Sequence, residues 1–159
     1  MASNTDPKTV LLKGDPIGKE AISASGSAIT PGQLIELTSG DEVQEHSTAG
    51  GNAQPIIARA EEYAGGSIDD DYAVGDTVPF YVGRSGDEFY AFLADGEDVS
   101  IGDYLESDGN GDLQAHTPQA VDEGGTATYT IYGEAIVFKA LEALNNTSGT
   151  PSRIKVEVV

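Results

Sequence analysis

The chain has 159 residues, enough for one domain with a real core and too few for two comfortable ones. Its 27 acidic residues face 8 basic ones, a formal charge of −19 that repels nucleic-acid phosphates and anionic lipid, so neither nucleic acid nor a membrane is an expected partner. There is no cysteine, which excludes disulfides, thiolate metal sites and a cysteine nucleophile.

The apolar fraction of 38% favours a folded chain over a disordered one. So many carboxylates on one small globule oppose compaction at ordinary salt, whereas in molar salt the Debye length falls to about 3 Å and the repulsion is screened. Scarce lysine with abundant Asp, Glu, Thr and Gly therefore points to a surface suited to brine and to a halophilic source. The amino-terminal residues Met1 to Lys8 lack the basic region and apolar run of a signal peptide. No apolar stretch approaches the roughly 18 residues that cross a bilayer, so a soluble chain is expected.

Residues 1 to about 8 read as an arm, mobile or ordered by a partner. Residues 9–13 are the first strand candidate, so 1–13 form either an N-terminal arm or a first strand, and 14–159 a single β-barrel-like domain. From Gly14 onward, Gly-Asp pairs punctuate the chain: Gly14-Asp15, Gly40-Asp41, Gly75-Asp76, Gly86-Asp87, Gly102-Asp103 and Gly111-Asp112. Turns at this spacing leave room for strands and not for long helices. Between them lie apolar or alternating runs at 33–37, 55–60, 77–82, 88–93, 104–105, 113–115, 126–132 and 153–158. In the last run Ile154, Val156 and Val158 share one face, and in 126–132 Ala127, Tyr129 and Ile131 do. Residues 58–63 fit a short helix, although 55–60 also fits a buried strand. In 133–146, Ile136, Val137, Ala140, Leu141 and Leu144 stand at helical spacing; the first half reads as strand and 141–146 stays open. The expected class is all-β, a small antiparallel β-barrel or β-sandwich with Gly-Asp hairpins and at most one or two short helices.

Chemical motifs are scarce. His46 and His116 each sit beside small polar residues in apparent turns and read as exposed turn histidines. No Gly-x-Ser-x-Gly elbow and no phosphate-cradling glycine loop is present. With 27 carboxylates and no Trp, acid pairs carry no glycosidase signal. The expectation is no catalytic residue, no cofactor and no enzyme. The run Glu106-Ser107-Asp108-Gly109-Asn110-Gly111-Asp112 spaces oxygen ligands as a calcium loop does, but Glu holds its first position and Thr117 the twelfth, where a bidentate Glu belongs. A hairpin tip whose glycines supply positive φ is the simpler reading. Asp69-Asp70-Asp71 reads as a solvated acidic loop, and Asn145-Asn146-Thr147-Ser148 as a polar loop that happens to hold glycosylation acceptors.

The order of elements from Ile29-Thr30-Pro31-Gly32 through Gly75-Asp76 and Phe89 to Leu93, to Ala94, Gly96, Gly102 and Asp103, resembles the small capsid decoration (cement) proteins of tailed viruses. The runs 135–144 and 153–158 are similar to that family's last two strands. With the brine composition, the resemblance suggests a tailed virus of a halophilic archaeon. It implies a barrel-like body, homotrimers on the outer capsid surface of the virion, the major capsid protein as partner and a role in stabilising contacts between capsomers.

The expected capsid contact is the segment where positive charge meets apolar surface, Lys8, Val10, Leu11, Leu12 and Lys13, whose extended arm can add a strand to the capsid protein. An internal first strand of the barrel is the competing reading of the same residues. The rival function is a carbohydrate- or cell-surface-binding β module of a halophile, with Phe80-Tyr81 and Phe89-Tyr90-Ala91-Phe92 as stacking faces, although alternation sends most of these inward.

Overall fold

The computed structural model describes residues 6–24, 26, 28–118 and 134–159. The strand expected at 126–132 and the first residues of the expected arm lie outside these. Thirteen strands occur among the described residues: β1 Leu11–Lys13, β2 Ile17–Ser23, β3 Ile35–Leu37, β4 Glu42–Glu45, β5 Ile56–Ala58, β6 Thr77–Val82, β7 Glu88–Leu93, β8 Asp98–Val99, β9 Tyr104–Ser107, β10 Leu113–Ala115, β11 Phe138–Ala140, β12 Leu144–Asn145 and β13 Ser152–Val158. The expected all-β class holds. Where helices were weighed there is one 3-10 turn, Glu62–Ala64, and strands elsewhere, since β5, β11 and β12 are all held by cross-strand pairing.

Strands β7, β10, β9, β11 and β13 follow one another around a closed five-stranded barrel, because β13 pairs back onto β7 from Ser152↔Leu93 to Glu157↔Glu88. β7 carries β13 along one edge. Its other edge is shared by β1, at Phe89 and Glu88, and by β10, at Leu93. Alternation fills the barrel: Phe89, Ala91 and Leu93 of β7 point inward with Ile154, Val156 and Val158 of β13, as the period of two requires. The antiparallel expectation fails at two contacts, β7 with β10 and β2 with β4, which run parallel.

A second sheet of five strands runs β3-β4-β2-β6-β5. The bridge Leu34↔Ile57 draws its two ends together. It has its own core of Ile29, Ile35, Val43, Ile56, Ala58, Val78 and Phe80. Neighbouring residues in the shared wall feed opposite cores: Ile56 and Ala58 point into the second sheet while Ile57 joins the barrel cluster, and Ile35 and Leu34 divide the same way. An unbroken apolar run is what such a doubly covered strand needs.

Three Gly-Asp pairs build one turn three times. In Ala73-Val74-Gly75-Asp76, Arg84-Ser85-Gly86-Asp87 and Ser100-Ile101-Gly102-Asp103, the Asp N–H donates to the carbonyl three residues back at 3.0, 2.9 and 3.1 Å. The Asp carboxylate then accepts that same residue's N–H at 2.8 Å in each. Each turn opens directly into a strand, β6, β7 or β9. Part of the acidity is therefore structural, locking turns rather than only hydrating the surface.

Candidate functional site

The segment expected to touch a capsid is divided by the fold. Lys8 is exposed. Val10 is 1% exposed and belongs to the barrel core, with its carbonyl accepting the Tyr90 N–H at 2.8 Å. Leu11 packs half-buried against the same core. Leu12 is half-buried, and Lys13 lies at the surface with its Nζ 3.3 Å from Glu88 Oε1. Leu11–Lys13 form an end strand paired with β7 outside the closed ring of five, and Val10 is buried in the core.

A polar cluster lies where the barrel meets the second sheet. There the tip between β9 and β10 docks on β3 and β4: Leu34 N–H donates to Gly111 O at 2.7 Å, Gly111 N–H to His46 O at 3.2 Å and Gly50 N–H to Ser107 O at 2.8 Å. His46, expected as an exposed turn histidine, is 2% exposed at this joint. Its Nδ1 is 2.8 Å from Ser107 Oγ and its Nε2 3.0 Å from Asn52 O. A serine beside a histidine invites comparison with a hydrolase, but Ser107 is fully buried and its Oγ also accepts the Gly109 N–H at 3.1 Å. In this buried position the pair fastens the joint. His116, also expected to be exposed, is half-buried, its Nδ1 2.5 Å from Glu106 Oε2. Both side-chain partners, Ser107 and Glu106, come from the end of β9, which is remote in sequence from His46.

The run that resembled a calcium loop is the hairpin tip itself. Asp108 Oδ1 accepts the N–H groups of Asn110 and Asp112 at 2.7 and 3.0 Å, and Gly109 and Gly111 have φ of 89° and 80°. Its carboxylate is thus turned inward on the loop's own backbone. Among the described residues no group of three or more His, Asp or Glu side chains is arranged to hold a metal.

Asp112 closes the tip at 6% exposure. Burial, with the charges of Asp108 and Glu45 added, pushes its carboxyl up from 3.8 to about 7, although the Gln33 side chain partly offsets this. A carboxyl raised in the folded state holds its proton more tightly folded than unfolded. The stability tied to it is complete below pH 3.8 and is lost as pH rises toward about 7. The Asp112→Asn variant, a neutral isostere, is expected to gain stability relative to the wild type across that window and to level off above it. Urea unfolding at a series of pH values measures the difference; a constant gap places the titration elsewhere.

A cleft of about 420 Å³ opens where β3 and the segment before β5 diverge, lined by Ile35, Glu36, Leu37, His46, Asn52 and Ile56 among others. Burial pushes the Glu36 carboxyl up, but hydrogen bonds from Gln44 and Ser47 and the nearby His46 outweigh it and hold it below the ordinary value. Its oxygen Oε1 already accepts Gln44 Nε2 and Ser47 Oγ, both at 2.7 Å. Two acidic residues line the cleft, the engaged Glu36 and Glu134, and no Phe or Tyr does.

The nominated stacking aromatics are occupied. Phe80 and Phe89 are buried, and Tyr90 and Phe92 lie beneath the Arg153 guanidinium at 5.8 and 4.2 Å. Asn146 is equally committed: at 2% exposure its amide donates to the carbonyls of Leu93, Ala94 and Thr150. β2, whose first four residues are all exposed, is not marked as a strand by any apolar period. Its only cue is the turn Gly14-Asp15-Pro16 in front of it.

No known protein family matches the chain by sequence profile, and no curated protein matches it. The fold is nevertheless similar to a solved structure, the N base of head fiber gp8.5 in bacteriophage phi29, with a TM-score of 0.53 at 12% identity, over 90% of this chain and 93% of that one.

Proposed function

We propose that this chain is a structural protein of a tailed-virus head, seated on the outside of the capsid with the major capsid protein as its partner. The observation that carries the reading is the fold likeness to the base of a phage head fibre, which runs through nearly the whole of both chains. The described polar clusters are consistent with it, since their groups are spent on holding turns and the barrel joint together. In this reading the protein acts by removing surface from water across a contact, and many copies on one shell add their separate affinities. The expected archaeal and halophilic host stands on charge alone, for the structural relative is a bacteriophage protein.

Heads of the encoding virus prepared without this chain provide the test. Purified protein is expected to cosediment with them in saturable amounts fixed by the number of sites on the shell. Protein left wholly in the supernatant across the accessible concentration range refutes the reading.

A further inference from the structure

We infer that the open edge of β2 is the docking strand of this protein, taking an extended, acidic segment of the capsid protein by strand addition. The inference rests on the head-surface reading above. β2 pairs with β6 from Ile17↔Val82 to Ile22↔Thr77, which sets Glu20 opposite Pro79. Proline has no N–H, so that pair is not hydrogen-bonded, and Gly18 and Glu20 turn their N–H and C=O groups away from β6. The rest of the ladder agrees. Ser23, in step with Lys19 and Ala21, bonds to the β6 side through Asp76 O and the Gly75 N–H at 2.8 and 2.9 Å, while Ala24 N–H turns the other way, to Val43 O at 2.8 Å.

On that outer side β4 covers only Ile22 and Ser23. Among the described residues nothing pairs with the main-chain groups of Gly18 and Glu20. The faces are bare as well: a Cβ built on Gly18 meets nothing within 4 Å, and Ile17 and Ile22 are 44% and 43% exposed. Such an edge is a template for another strand.

Charge identifies the kind of strand. Most of the basic side chains are engaged, as in Lys13 with Glu88, Lys139 with Glu157, Lys155 with Glu142 and Arg153 with Asp69. Three, Lys8, Lys19 and Arg84, have no side-chain partner among the described residues, in a chain with 27 carboxylates. Arg84 joins Lys19 at the β2 end of the molecule, because the Asp87 carboxylate accepts the Asp15 N–H at 3.0 Å and the Arg84 N–H at 2.8 Å. A segment with carboxylates opposite these cations completes both the backbone ladder and the charge.

A second copy of this chain fits poorly. Hydrogen-bonded residues must face one another, so the twofold register that uses both Gly18 and Glu20 sets Lys19 directly opposite Lys19 of the other copy.

The head cosedimentation assay tests the edge with two variants. Glu20→Pro removes an outward N–H that serves no bond among the described residues, a place where an edge strand tolerates proline. Lys19→Glu reverses the cation of β2 at an exposed position. Each is expected to weaken capture by about tenfold or more while leaving the melting temperature near that of the wild type. Lys19→Glu decides the matter if the proline variant proves unstable. Wild-type capture that Lys19→Glu leaves unchanged overturns the docking edge alone, and absence of wild-type capture overturns the head reading together with it.

Discussion

Replacing Arg153 with methionine is expected to cost about 2–4 kcal/mol of unfolding free energy, because it strands the Pro31 and Ile68 carbonyls that the guanidinium binds. The Arg153 side chain is 10% exposed. It donates to Pro31 O at 2.8 Å and to Ile68 O, and lies 3.4 Å from Asp69 Oδ1. Its planar group also covers the Phe92 ring at 4.2 Å. One side chain of β13 therefore ties two loops of the second sheet's side to the barrel wall. Gly32, at φ 102°, leaves the room: a Cβ there would stand 2.5 Å from Arg153 Nη1 and 2.9 Å from Tyr90 O. Removing the guanidinium also removes the cost of burying a cation, which is why the loss stays below the sum of its contacts. Lysine is expected to rescue little, since an ammonium cannot fork between two carbonyls and stack on a ring together. Denaturant melts of the wild type, Arg153→Met and Arg153→Lys measure this, and a methionine variant within about 0.5 kcal/mol of wild type means the loops are held by other contacts.

What a single sequence displays depends on whether a residue's partner is near in the chain. The Gly-Asp turns were legible because turn chemistry is local, and β6, β7 and β10 occupy the expected residues 77–82, 88–93 and 113–115. β2 was not legible. It buries only Ser23, and its two isoleucines are exposed, so no apolar period marks it. β4 offers Val43 as its one apolar residue. The run at 56–58 displayed a buried strand, but nothing local reveals that its alternate residues enter two different cores. His46 has the look of a turn residue because its partner Ser107 lies 61 positions away. The docking edge was hidden for a related reason: it depends on Pro79 lying opposite Glu20, a fact of register and not of composition.

Truncating Phe89 to alanine is expected to be still more costly, about 3–5 kcal/mol, in a fold of this size whose whole stability is of order 5–15 kcal/mol. Phe89 is fully buried on β7, where it pairs with Leu11 of β1 and Val156 of β13. Its ring meets Phe138 edge-on at 6.3 Å and Tyr81 of the second sheet at 6.0 Å. The ring therefore packs against β11 within the barrel and against β6 outside it, and the space it leaves has walls from both sheets. Those walls are backbone ladders and cannot close far, so most of the lost volume persists as a cavity. Phe89→Leu keeps more of the volume and is expected to lose less than half as much. Because Leu34 and Ile57 of the second sheet share the barrel's apolar cluster, both sheets are expected to unfold in a single denaturant transition with an unchanged slope in every variant. Two separate transitions in the alanine variant, with the second sheet surviving the barrel, would show that the sheets fold independently.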